Sequence, residues 1–95
     1  PGFYKAWYNL AIAYKRGGDV QKEIETYKSA LEVRREYPQA LYNLAYAYEE
    51  AVQVDDAVAT WRRYIAAAAN HPTEKPYIST AEQELQRLLQ RAGTP

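Results

Sequence analysis

Apolar residues recur at steps of three and four along most of this chain, and polar residues fill the gaps. Trp7, Leu10, Ala11 and Tyr14 share one face of a first helix, with Lys5, Tyr8, Asn9, Ile12 and Arg16 roughly opposite. Val20, Ile24, Tyr27 and Leu31 form the stripe of a second helix, spaced 4, 3 and 4. Such spacing keeps side chains on one side of a 3.6-residue turn. Gly17-Gly18-Asp19 separates the two helices, because glycine adopts positive φ at little cost and aspartate caps the next N-terminus. The second helix is expected from about Val20 to Glu36, with Pro38 excluded from its interior but suited to a new start.

A shift of 34 residues lays the chain on itself: residues 6 to 14 fall on residues 40 to 48 with seven of nine positions identical. The same shift carries Val20, Ile24, Tyr27 and Leu31 onto Val54, Val58, Trp61 and Ile65. A second pair of helices is therefore expected, from about Gln39 to Val52 and from Asp55 to Ala69. Its turn, Ala51-Val52-Gln53-Val54, lacks glycine. A looser or longer junction is expected there, with Asp55 and Asp56 serving the following helix by capping and dipole. Pro72 opens a third unit in phase, but only one helix follows. Its stripe is Ile78, Ala81, Leu85, Leu88 and Ala92, backed by polar residues and ended by Gly93. Ser79 and Glu82 fit a capping box, while Pro76 suits a start one turn earlier. The fold class is all-α, about five helices stacked as antiparallel hairpins into a solenoid. The expected single domain holds repeats at about 4–37 and 38–71 and a closing helix at about 73–92. A polar-backed last helix is what a solenoid end needs.

Trp7-x2-Leu10-Ala11-x2-Tyr14 and Leu41-x2-Leu44-Ala45-x2-Tyr48, followed by Ala57-x3-Trp61, resemble the tetratricopeptide repeat, with alanine replacing its glycine. The resemblance implies stacked helical hairpins and a protein-binding role. Two departures carry expectations. Glu23 stands where the family places a small apolar residue, so it is expected to reach a partner or solvent, since an unpaired buried carboxylate is costly. Tyr64 stands where the first unit has Ala30, and its ring is expected to fill space against the closing helix. Pro1 falls in the register of a preceding repeat's closing proline, and the chain holds no methionine. It is therefore expected to be the C-terminal part of a longer array.

Composition narrows the function. Twelve basic and twelve acidic side chains cancel, so no overall field draws the chain to nucleic acid or an anionic membrane. Without cysteine and with the single His71, a thiolate or histidine metal site is not expected, nor is any cofactor. His71 reads as a loop residue and Arg62-Arg63 as a solvated face. No apolar run approaches the roughly 20 residues of a membrane span, so a soluble protein is expected. Its compartment stays open, with the cytoplasm favoured. No nucleophile lies in a catalytic motif, and Gly17-Gly18 reads as a turn, with anion binding at the following helix as the alternative. An enzyme is not expected.

Stacked hairpins place their first helices along a concave inner face, where repeat proteins bind extended ligands. The candidate peptide-binding residues there are Lys5, Tyr8, Asn9, Ile12, Lys15 and Arg16, and 34 positions on, Gln39, Tyr42, Asn43, Tyr46, Glu49 and Glu50. An asparagine amide both donates and accepts, so Asn9 and Asn43 can pair with a peptide backbone, or with neighbouring backbone and water. Tyr8, Tyr42 and Tyr46 offer rigid apolar area with a polar tip. Lys15 with Glu49 and Arg16 with Glu50 either pair across helices or engage charges of a ligand. Trp7, Tyr14, Tyr27, Tyr48 and Trp61 belong to the core. The partner expected is a protein or peptide. Self-association is the alternative, because the first unit carries seven basic and five acidic residues and the second two and four.

Overall fold

The computed structural model describes residues 3–92, the side chain of Ala92 excepted. The expectations for Pro1, the Ala92 side chain and Gly93 lie outside the described residues. Five helices follow one another: α1 Phe3–Arg16, α2 Val20–Val33, α3 Pro38–Glu50, α4 Val54–Ala68 and α5 Lys75–Ala92. A single 3-10 turn, Pro72–Glu74, precedes α5, so the closing helix starts at Lys75 rather than near 73, with Pro76 in its first turn. Ser79 lies inside the helix and opens no capping box. Each helix packs on the next to form an all-α stack of 43 × 31 × 19 Å. That is about two helix layers thick, too thin for an enclosed pocket, so ligand-sized space lies in surface grooves.

Helix ends follow local chemistry. Asp19 accepts a bond from the Lys22 backbone N–H at 3.2 Å and caps α2. α2 stops at Val33, three residues before Glu36, because Arg34 is extended at φ −134° and lays its guanidinium over the rings of Tyr4 and Tyr37, 5.2 and 5.0 Å from their centroids. Tyr37, held extended by the proline after it, leads into α3.

The two inter-helix turns correct the expectation of a looser second junction. Gly18 and Asp19 donate to the carbonyls of Lys15 and Tyr14, and Val52 and Gln53 donate to those of Glu49 and Tyr48, the same bonds 34 residues on. Both are Schellman turns of equal length. Gly18 sits at φ 80° and Val52 at φ 58°. A β-branched residue there is strained, and Val52 is also 79% exposed. Gln53, whose side chain makes no capping bond, occupies the N-cap of α4; Asp55 and Asp56 stand in its first turn, where they favour the helix dipole without capping.

Inside each hairpin, small residues let the backbones approach. Ala11, Ala30, Ala45 and Ala57 are fully buried, beside Tyr27, Trp61 and Tyr64. Thr26 and Thr60, another pair 34 apart, satisfy their buried hydroxyls on the carbonyls of Lys22 and Asp56 at 2.6 and 2.7 Å.

Glu23 breaks this seam, and here the expectation fails. It is 2% exposed and its Oε1 finds no hydrogen-bond partner; the Tyr27 hydroxyl one turn on is likewise unsatisfied. Its counterpart in the second repeat is the fully buried Ala57, so a space suited to a methyl group holds a carboxyl. Burial pushes the Glu23 pKa up, Lys15 opposes the rise and Glu50 adds to it.

The α1 stripe departs in the other direction. Trp7 is 39% and Leu10 40% exposed, and Tyr14 is only half-buried, so they are not the core residues expected. Their counterparts Leu41, Leu44 and Tyr48 are buried because α2 precedes α3. No described helix precedes α1.

Two outcomes are expected. Val52→Gly removes about 1–2 kcal/mol of backbone strain against about 0.5–1 kcal/mol of added chain entropy. A net gain of a few tenths to about 1 kcal/mol should appear as a higher urea midpoint with unchanged slope. Glu23→Gln keeps the shape and removes the buried charge, and should stabilise the fold at pH 7 by about 1–3 kcal/mol. Because the folded-state pKa is raised, the native state of the parent binds more protons than the unfolded chain above the ordinary carboxylate range, so the parent gains stability as pH falls through that window. The advantage of Glu23→Gln should therefore shrink as pH falls from 7 toward the ordinary carboxylate range, and a constant difference in parallel melts would contradict this account.

Candidate functional site

α1, α3 and the junction before α5 border an open groove of about 590 Å³. Tyr8 lines it from α1, Gln39, Tyr42 and Asn43 from α3, Thr73 and Glu74 from the 3-10 turn, and Tyr77 from α5. The 34-residue period explains the first four. Tyr8 and Asn43 occupy successive first helices at nearly equal height, so the Asn43 amide reaches the Tyr8 hydroxyl and donates to it at 3.0 Å.

Tyr42 is the centre of an aromatic cluster. Its ring meets Tyr46, Trp61, Tyr64 and Tyr77 edge-on, with centroids 5.3, 5.3, 5.2 and 5.7 Å away. Tyr46 meets Trp61 at 4.9 Å. Edge-to-face contacts of this kind fix ring orientation as well as burying area. A second set runs through the first repeat, where Tyr8 packs on Tyr37 and Tyr27 at 5.3 and 6.0 Å. Burial, aided by the neighbouring Tyr42, holds the Tyr46 phenol well above its ordinary range. Burial also raises Tyr27, with the Glu23 charge adding to it.

Glu74 supplies the charge at the floor. It is 7% exposed; one oxygen accepts the Tyr64 hydroxyl at 2.7 Å and the other the Gln39 amide at 3.5 Å. Tyr64 is fully buried, and its hydroxyl is anchored on the turn carboxylate. Burial and the bond to Glu74 push its phenol upward as well.

The remaining expected residues divide. Lys5, Asn9, Lys15, Arg16 and Glu50 are exposed and Ile12 is half-buried. Glu49 is drawn away from Lys15: one oxygen accepts Trp61 Nε1 at 2.8 Å and the other pairs with Arg87 of α5, which also holds Glu84 at 2.6 Å. Burial raises the Glu49 pKa, the Trp61 bond opposes it, Glu84 adds to it and Arg87 lowers it. Among the described residues, Lys15–Glu49 and Arg16–Glu50 form no ion pair. The third unit keeps the 34-residue phase but not the residue types: Thr73 and Tyr77 stand 34 positions after Gln39 and Asn43, Glu74 stands 34 after Ala40, and Arg87 has no charged counterpart in the second unit, so identity between repeats points to none of them.

Among the described residues no cluster of histidine, cysteine and acidic side chains could hold a metal ion, and no helix is long and apolar enough to cross a membrane.

Models of the tetratricopeptide repeat match residues 4–37 and 39–71. The chain is a member of the tetratricopeptide repeat family. In fold it is similar to a tetratricopeptide repeat domain protein from Salinibacter ruber solved by solution NMR, at 22% identity, TM-score 0.79, over 93% of this chain and 88% of that one. A crystal structure of a tetratricopeptide repeat domain protein from Salinibacter ruber gives 21% identity and TM-score 0.77, covering 90% of this chain and 93% of that one. No curated protein matches the chain. Tetratricopeptide repeats generally mediate protein–protein interaction and are typically non-catalytic.

Proposed function

We propose that this tetratricopeptide repeat protein is a scaffold or adaptor module that holds a peptide or helix of a partner protein across α1, α3 and the turn before α5. The observation that carries this reading is the groove itself: Tyr8, Tyr42 and Asn43 are fixed by one another and by the aromatic cluster, yet remain only half-buried. Fixed side chains lose little entropy when a ligand arrives. Asn9, exposed one repeat earlier, extends the same row toward Lys5 and Ile12. Each hydrogen bond nets about 0.5–1.5 kcal/mol, whereas ordering a flexible peptide costs about 2–5 kcal/mol, so tyrosine contact must supply the difference and affinity for short peptides is weak. Peptides selected from a random library on the parent chain should bind Asn9→Ala and Asn43→Ala about fivefold more weakly each by fluorescence anisotropy, with melting curves verifying the fold. Undiminished binding to both variants would move the site off this face.

A second observation favours the chain's being part of a longer array. Phe3, Ala6, Trp7 and Leu10 line an apolar hollow on α1, with Phe3 67% exposed. The residues 34 on are all buried next to α2. A preceding repeat's second helix would cover this face as α2 covers α3. Head-to-tail self-association is less well supported, because α5 turns Glu82, Gln83, Gln86 and Arg91 outward and offers no matching apolar stripe. Placing a copy of residues 4–37, with its own tryptophan changed to phenylalanine, ahead of the chain should shift Trp7 emission to the blue and raise the melting temperature. Unchanged Trp7 emission would sink the array reading; Trp61, fully buried, provides a constant reference.

A further inference from the structure

We infer that the groove between α1, α3 and the Pro72–Glu74 turn takes a basic side chain, a lysine ammonium or arginine guanidinium, of the bound peptide. This rests on the reading that peptides lie on this face and adds the chemistry that one position of them must have.

The polar groups of the groove are arranged by what they have already used. Asn43 spends an amide N–H on Tyr8, and Gln39 spends one on Glu74. Their carbonyl oxygens are left as acceptors. Glu74 is acceptor-only as a carboxylate and takes one donor on each oxygen, leaving further lone pairs. The groove thus offers an incoming group several acceptors beside its hydroxyls and remaining amide N–H groups, and these acceptors suit a donor carrying several N–H bonds and no acceptor of its own.

Charge points the same way. Glu74 is nine-tenths buried and forms no ion pair among the described residues, and neither lysine nor arginine lines the groove. A buried carboxylate without a countercharge gains most from a cation. Tyr8, Tyr42 and Tyr77 line the same groove, and the faces of such rings attract cations. The chain itself places cations on tyrosine twice: Arg34 over Tyr4 and Tyr37, and Lys22 over Tyr14 at 5.7 Å. Tyr77, 49% exposed at the rim, has room to close over an entering side chain.

NMR titration at low salt with the acetylated, amidated tripeptides Ala-Lys-Ala, Ala-Arg-Ala, Ala-norleucine-Ala and Ala-Glu-Ala tests this. The lysine or the arginine peptide should shift the Asn43 and Gln39 side-chain amides and the Tyr77 ring, and bind about fivefold more tightly than the norleucine peptide. Glu74→Gln, which still accepts from Tyr64, should erase that preference, and Tyr77→Leu should reduce it without unfolding the chain. Equal binding of norleucine and basic peptides in the groove, or a preference that survives both substitutions, overturns the inference while leaving the face as the peptide site. Shifts confined to a separate groove, lined by Lys28, Leu31 and Tyr48, overturn both. n-Butylammonium binding as tightly as the lysine peptide would keep the cation and overturn the peptide as its carrier.

Discussion

Two helices can stack closely only where neither side chain holds them apart, and this chain meets that constraint with alanine. Ala11, Ala30, Ala45 and Ala57 are fully buried within the two hairpins. Around this narrow seam the large residues arrange themselves: Tyr27 in the first repeat, Trp61 and Tyr64 in the second. The aromatic cluster is thus secondary to the close approach, since rings packed edge-on about Tyr42 need α3, α4 and α5 to be drawn together first. The groove inherits its shape from both.

The closing helix contributes more than an end to the stack. Arg87 reaches back to Glu49, which receives the Trp61 indole, so one carboxylate ties α3, α4 and α5. At the other end of α5 the turn carboxylate ties α3 and α4 through Gln39 and Tyr64. An acid at each end, Glu74 buried and Glu49 partly so, met by donors from two elements, positions the wall of the groove. Glu23 has no such company, and the contrast shows that burial alone does not decide whether a carboxylate supports a fold.

Much of the architecture is legible in the sequence because it depends on periodicity. Identical residues 34 apart locate the hairpins, and the alternating steps of three and four pick out Tyr27, Leu31, Trp61 and Leu88 as interior. Periodicity says which face is apolar, however, and not whether a neighbour exists to cover it, so Trp7 and Leu10 look like core residues and are not. It also says nothing of satisfaction: Glu23 looks too costly to bury unpaired, yet the surrounding hairpin outweighs that local cost. On the groove, Tyr8, Tyr42 and Asn43 follow from the repeat, whereas Glu74 and Tyr77 keep its phase but differ in type from Ala40 and Asn43, so likeness between units does not reveal them. Helix ends depart from the pattern where a residue turns extended, as Arg34 does while stacking on tyrosine.

The paired Schellman turns have a consequence for how such a chain can vary. One carries glycine at the left-handed position and the other valine, yet the hydrogen bonds are the same. Composition there is negotiable, but count is not. A single inserted residue would rotate the following helix by about 100° relative to its partner. Trp61 would then swing out of the seam and away from Glu49, taking with it the wall on which Tyr42 rests. The loop acts as a spacer whose length sets the phase of everything after it, and substitutions there are far safer than insertions or deletions.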